Sequence, residues 1–166
     1  KLMAITFVEA WRKNDPQLEA EARAFWASHN ALRDEATAEE RLKQLAVLVY
    51  DEGTLIGIST INVRHFDLLR EDFGFIREIV TSDRRLEHIS IALTQKTREV
   101  AEAYAFAHQE ENLAGLAAVL QAPGIGKRAI SRGGGLVLMG YTDENEQVRA
   151  CWFDHFRIKS YLPDAS

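Results

Sequence analysis

Hydrophobic and polar positions alternate at the start of the chain and then change to helical spacing. Residues 3–10 alternate weakly, which predicts a first strand. Asp15 and Pro16 are suited to the N-cap and first position of a helix. A second helix is predicted to about Leu45, because residues 37–40 (Thr-Ala-Glu-Glu) match a capping box. The first of these helices has one apolar face, formed by Leu18, Ala22, Phe25, Trp26 and His29.

The next segment has the pattern of a β-hairpin. Residues 46–50 and 55–64 are rich in apolar and β-branched side chains, and the turn-forming residues 51–53 separate them. Apolar side chains change from even to odd positions across Ser59 and Thr60. A β-bulge or a twist is therefore predicted near these two residues.

The second half of the chain predicts a long helix between two buried strands. Residues 73–80 and 113–120 are the strands, and the second is apolar throughout. Shorter patterns predict a short helix at 127–132 and strands at 136–139 and 148–156. The mixed order of elements predicts an α/β fold with parallel and antiparallel pairs. The helix joins its two strands as a right-handed crossover. Its inward stripe comprises Leu86, Ile89, Leu93, Thr97, Val100, Tyr104 and Ala107.

Composition narrows the classes of function. A chain of 166 residues with net charge −5 and no Lys/Arg block favours neither nucleic acid nor an anionic membrane as partner. Cys151 is the only cysteine, so no intrachain disulfide is expected, and the five histidines lack metal-ligand spacing. We expect one cytoplasmic domain over residues 3–160. Lys1 and Leu2 would be additions before a native start at Met3, and residues 161–166 a tail.

Three segments resemble the GNAT acyltransferase superfamily, and the order of elements agrees with that family. The segment IREIVTSDRRLEHISIALTQ (residues 76–95) is similar to its central strand, turn and helix. GKRAISRGGGLVLMGYTDE (126–144) is similar to its late helix and strand, and VRACWFDHF (148–156) to its closing strand. The resemblance implies a twisted, mixed central sheet of about six to seven strands flanked by about four helices.

The resemblance also implies a cofactor, acetyl-CoA or another acyl-CoA. Its pyrophosphate would dock on unpaired backbone N–H groups at the start of the long helix, and its pantetheine arm would lie between the strands that end at Val80 and Leu120. The implied cofactor-binding residues are Ile79, Val80, Arg84, Arg85, Leu86, Glu87, His88, Ile89 and Ser90. No metal is implied.

The chain departs from the family pattern at the glycines. With the motif's first Arg placed on Arg85, His88 and Ser90 occupy its two glycine positions, and Leu86 stands where a further glycine is common. Glycine permits close approach of a backbone to a phosphate. Three alternatives follow: CoA binds to a rearranged loop, another anionic ligand binds, or the site is inactive.

Two residues are candidates for catalysis. Glu78 interrupts an otherwise mostly apolar strand, where a carboxylate is costly unless it is paired or solvated. The resemblance implies that it acts as the base; the alternative is an ion pair with Arg64 or Arg149. Ser131 occupies the position at which the family has a tyrosine that acts as the general acid. The alternative is a serine on a helix surface.

The predicted function is acyl-CoA-dependent N-acyltransfer to an amine of a small molecule or a protein. One alternative is a GNAT-like domain without activity that serves binding or assembly. A second is acyl transfer from a carrier protein that binds Lys127, Arg128 and Arg132. The resemblance makes a homodimer plausible, and the acceptor pocket is expected from the helix pair at 15–45 and the segment 65–72.

Overall fold

The computed structural model describes residues 4–32, 35–81, 87–121 and 126–158. Strands and helices follow one another in an order that mixes hairpins with one long crossover. They are β1 Ile5–Glu9, α1 Pro16–Ser28, α2 Glu35–Leu42, β2 Leu45–Asp51, β3 Thr54–Phe66, β4 Glu71–Val80, α3 Glu87–Ala107, a 3-10 helix Gln109–Glu111, β5 Leu113–Leu120, β6 Val137–Tyr141 and β7 Gln147–Trp152.

The seven strands in the described ranges form one sheet in the order β1-β2-β3-β4-β5-β7-β6. Neighbouring strands are antiparallel except β4 and β5, which are parallel and are joined through α3. The mixed α/β sheet and the crossover between two parallel strands are therefore confirmed. β7 lies between β5 and β6, so the last strand separates two strands that precede it in sequence.

The first helix begins as its sequence predicts, and the second does not. The side chain of Asp15 accepts hydrogen bonds from the backbone N–H groups of Gln17 and Leu18, and Pro16 is the first helical residue. α2 already includes Glu35, so Thr37 lies inside the helix. The predicted capping box is wrong because the helix starts before it.

The β2–β3 hairpin contains two irregularities of pairing. Glu52 and Gly53 both have positive φ, 48° and 83°, as a tight two-residue turn between twisted strands requires. Pairing shifts by one residue where Leu45 and Val47 face Thr60 and Ser59, so the irregularity predicted there is confirmed, with the extra residue on β2. A second shift occurs next to the turn.

Helices cover the sheet on both faces. α3 packs on one face over a cluster that includes Ile61, Ile76, Leu93 and Leu116, whereas Phe25 and Trp26 of α1 pack on the other face. The described residues 126–136 contain no helix, so the short helix predicted at 127–132 is wrong. No helix in the described ranges is long and apolar enough to cross a membrane.

Candidate functional site

The two parallel strands separate partway along their length. β4 and β5 are paired from Asp72 with Leu113 to Phe75 with Ala117, and no pairing follows within the two described strands. β4 nevertheless continues to Val80 and β5 to Leu120. Peptide groups that a regular parallel sheet would pair are therefore left facing a gap between the diverging strands.

Glu78 lies on the part of β4 that borders this gap, and its side chain is on the α3 face. Ser59 is its neighbour across β3, and the Ser59 hydroxyl lies 2.7 Å from Thr97 Oγ1 of α3. Thr94 Oγ1, also on α3, lies 2.7 Å from Glu78 Oε1. Burial raises the pKa of Glu78 to about 7, and the hydrogen bond from Thr94 opposes this rise.

Thr94 connects Glu78 to the first turn of α3. Its hydroxyl lies 2.9 Å from the carbonyl oxygen of Ser90 as well as 2.7 Å from Glu78 Oε1. A hydroxyl has a single proton to donate, so it serves one acceptor at a time. Thr94 was missed in the sequence because only its position on α3, next to the inward stripe, connects it to Glu78.

The first turn of α3 carries part of the predicted cofactor-binding set. α3 is described from Glu87 onward, and Glu87, His88, Ile89 and Ser90 form its first described turn. The side chain of His88 is exposed, whereas Ile89 is buried in the core. Arg84, Arg85 and Leu86 lie outside the described residues.

The other two predicted cofactor-binding residues lie on β4. The side chains of Ile79 and Val80 pack on opposite faces of the sheet, Ile79 with the α1 cluster and Val80 with the α3 cluster. Their side chains therefore form part of the core, and their peptide groups are what border the gap.

A glycine-rich loop packs against α3 next to Thr94. A Cβ atom on Gly133 would lie 2.6 Å from the Ile91 carbonyl oxygen, and one on Gly134 would lie 3.2 Å from Thr94 Cγ2. Gly134 also donates its N–H to Gln95 Oε1 at 3.1 Å. Glycine is required here for close approach to α3.

Ser131 lies in the loop that precedes β6. Its N–H donates to the Leu136 carbonyl at 2.8 Å, and its hydroxyl oxygen accepts from Arg149 Nη1 at 3.0 Å. The prediction of a serine on a helix is therefore wrong.

Arg149 is 1% exposed. Its guanidinium also donates to the Gly126 and Arg128 carbonyls and to the Gln147 side-chain oxygen. All of these acceptors are neutral.

Neither arginine considered as a partner of Glu78 forms an ion pair with it. The guanidinium of Arg149 is bonded as described above. That of Arg64 lies over the Phe75 ring, 3.8 Å from its centroid. Among the described residues no group of three or more His, Cys, Asp or Glu side chains is arranged to hold a metal ion.

Comparison with known proteins gives a likeness of structure only. No protein-family model and no curated protein sequence matches the chain. A GNAT-family acetyltransferase from Streptococcus pneumoniae is similar with a TM-score of 0.57 and 16% identity, over 90% of this chain and 99% of that one. The ribosomal-protein-S5-alanine acetyltransferase of Vibrio fischeri is similar with a TM-score of 0.57 and 13% identity, over 95% and 98%.

A third similar structure was solved with a cofactor. It is a putative acetyltransferase from Salmonella typhimurium with acetyl-CoA, and it matches with a TM-score of 0.56 and 10% identity over 97% of this chain and 99% of that one. The chain therefore has the GNAT fold, and the neighbours named here are described as acetyltransferases.

Proposed function

We propose that the chain is an acyl-CoA-dependent N-acyltransferase, with acetyl as the acyl group, acting on an amine of a small molecule or a protein. The observation that carries this proposal is the gap between β4 and β5, which starts after Phe75 and Ala117 although both strands continue. A gap of this kind has no benefit for stability, because unpaired peptide groups cost free energy when they are shielded from water.

The residues around the gap fit an acyl-CoA. Its pantetheine arm is extended and contains amide groups, which can bond to the peptide groups of β4 and β5 left without strand partners. The N–H groups at the start of α3 suit the pyrophosphate, because a helix N-terminus favours anions. Arg84 and Arg85, next to this turn in sequence, add positive charge. These fits favour a ligand-binding site over a GNAT-like domain that only assembles.

Glu78 is the proposed base. An acyl-CoA supplies an acyl group activated as a thioester, and the attacking amine must lose a proton. A carboxyl group with a pKa raised to about 7 is close to half ionised at neutral pH and is a stronger base than an ordinary glutamate. Since Glu78 faces α3, we propose that a water molecule in the gap carries the proton to it.

Ser131 is the proposed hydrogen-bond donor to the departing sulfur. Its oxygen accepts from Arg149, so its own proton is free to be donated elsewhere. A serine hydroxyl is a weak acid, and we propose that it donates through water.

The test combines ligand binding with turnover. Calorimetry should detect binding of acetyl-CoA, and acetyl-CoA should protect the chain against heat. With an amine that is turned over, Glu78→Gln should lower kcat by about 100-fold and leave the affinity for acetyl-CoA within about 3-fold, as expected for loss of a general base. No heat and no thermal protection at millimolar acetyl-CoA would overturn the proposal.

A further inference from the structure

The face of β4 opposite α3 carries positive charge next to the gap. Side chains alternate along a strand, so Arg77 lies on the face opposite Glu78. Thr60 of β3 is the strand partner of Arg77. The Thr60 hydroxyl lies 3.5 Å from Nη1 of Arg41, which comes from α2. Arg41 and Arg77 therefore converge over Thr60 from a helix and a strand.

A third arginine extends this surface. Arg64 of β3 places its guanidinium carbon 3.8 Å from the centroid of the Phe75 ring. Phe75 is two residues before Arg77 on the same face of β4, at a separation of about 7 Å. Arg64 thus leans along the sheet towards Arg77. We call Arg41, Arg64 and Arg77 the arginine surface.

The positive charge of the arginine surface is not neutralised within the described residues. No carboxylate there forms an ion pair with any of the three side chains. Arg64 and Arg77 are exposed and Arg41 is half-buried. Burial and the charge of Arg77 lower the pKa of Arg41, while Glu40 acts on it in the opposite direction only through space. Converging cations in a chain of net charge −5 favour an anion between them.

The gap is also more accessible from the face that carries the arginine surface than from the α3 face. On the α3 face, Thr94 bonds to Glu78, and the glycines at 133 and 134 pack against Thr94. On the opposite face, Asn62, Arg64 and Arg77 are exposed. A molecule that reaches an acyl group held in the gap from the open side passes the arginine surface.

We propose that the arginine surface binds a carboxylate of the acceptor, so that the amine substrate belongs to the acidic amines, such as peptides with acidic residues after a free N-terminus. That the bound molecule is an amine substrate rests on the proposed function. That it carries a carboxylate rests on the arginine surface alone. Guanidinium groups bind carboxylates through charge-assisted and often bidentate hydrogen bonds, which suits them to this role.

The test uses two matched tripeptide amides, Ala-Glu-Glu and Ala-Gln-Gln, as probes. They differ in their two carboxylates and share the free amine. Binding is measured by NMR titration without acetyl-CoA, and turnover is measured with acetyl-CoA. The acidic peptide should show a dissociation constant and a KM at least about 10-fold lower than those of the neutral peptide.

The variants Arg41→Gln and Arg77→Gln should each raise the KM for the acidic peptide about 10-fold, with kcat within 3-fold. Together they should abolish the preference between the peptides. Lys43→Gln is the matched control, because it removes one exposed positive charge just after α2 that is not part of the arginine surface, and it should keep the preference. Acetyl-CoA affinity should be unchanged in all three.

Each outcome separates the two proposals. Equal binding of both peptides, or a preference that survives Arg41→Gln/Arg77→Gln, would overturn the arginine surface as an acceptor site. Arginine-dependent binding of a single-stranded RNA oligonucleotide without binding of the acidic peptide would also overturn it. Arginine-dependent binding of the acidic peptide in a chain that binds no acetyl-CoA would support the surface and overturn the acyltransferase.

Discussion

The two faces of β4 next to the gap differ in charge, in exposure and in the partners of their side chains. Glu78 faces α3, where burial raises its pKa to about 7 and Thr94 is its hydrogen-bond partner. One residue earlier, Arg77 faces the other way and is exposed beside two further arginines. The closed side holds a carboxyl group that is close to half charged at neutral pH, and the open side holds three cations.

This difference indicates that the two faces of β4 have separate roles, one in proton transfer and one in binding the acceptor. Glu78 changes protonation near neutral pH because burial on the α3 side raises its pKa. Recognition of a charged acceptor requires cations that the acceptor can reach, so it requires the open side. Because neighbouring residues of a strand point to opposite faces, the sequence Arg77-Glu78 places both properties at the same height along the gap.

The largest expected loss of stability on the α3 side of the sheet comes from removing its buried cation. Arg149 donates to the Gly126 and Arg128 carbonyls, the Gln147 side chain and the Ser131 hydroxyl, and is 1% exposed. Arg149→Met should lower the free energy of unfolding by about 3–5 kcal/mol, because several partly buried oxygens lose their donor at once. Urea denaturation followed by circular dichroism measures this change.

Arg128→Met is the matched control, since the Arg128 side chain is exposed and should contribute within about 0.5 kcal/mol. Arg149→Met should also disorder the loop that contains Ser131, which hydrogen exchange of the Ser131 amide would report. A loss of stability no larger than that of Arg128→Met would contradict this account of the closed side.

The sheet could be predicted from the sequence because its signals are local. The apolar residues of β5 and the spacing along α3 identify these elements directly, and so does the turn at Gly53. Glu78 stood out because a carboxylate in an apolar strand is unusual. The start of α2 was mispredicted because a capping-box pattern at Thr37 also fits inside a helix.

The partners of the site could not be predicted because they depend on tertiary packing. Thr94 meets Glu78 only through the position of α3 on the sheet. Arg41 meets Arg77 only because α2 lies over Thr60, the residue paired with Arg77. The segment around Ser131 is held as a loop by Arg149 and by the approach of Gly133 to α3, and neither contact leaves a local pattern.

A second experiment compares the two faces of β4 through the pH dependence of the unfolding free energy. The folded-state pKa of Glu78 is raised from 4.5 to about 7, so the folded chain binds more protons than the unfolded chain between these values. The stability that protonated Glu78 contributes is therefore complete below about pH 4.5 and is lost as the pH rises to about 7 and beyond. The loss is at most about 3 kcal/mol.

Glu78→Gln removes this titration and gives the matched reference. The unfolding free energy of the wild type minus that of Glu78→Gln should decrease as the pH rises from 4.5 to 8, and the variant should be the more stable chain at pH 8. A difference that stays constant over this range would show that the carboxyl group is not closed off from water. Arg77→Gln, on the open side, should leave the pH dependence unchanged.

The smallest effect tests which contact sets the pKa of Glu78. The Thr94 hydroxyl lowers this pKa through its hydrogen bond to the carboxylate. Thr94→Val keeps the shape of the side chain and removes the donor, so the pKa should rise by about 0.5–1 unit, which corresponds to the net strength of one hydrogen bond. Titration of the glutamate carboxyl carbons by NMR measures the shift.

Thr97→Val is the control that separates this effect from a general loss of packing. Thr97 lies one turn further along α3, is fully buried, and bonds to Ser59 instead of Glu78. Both variants should lower the unfolding free energy by about 1 kcal/mol, but only Thr94→Val should move the Glu78 titration. If both moved it equally, burial by the whole helix would set the pKa, and Thr94 would have no specific part in it.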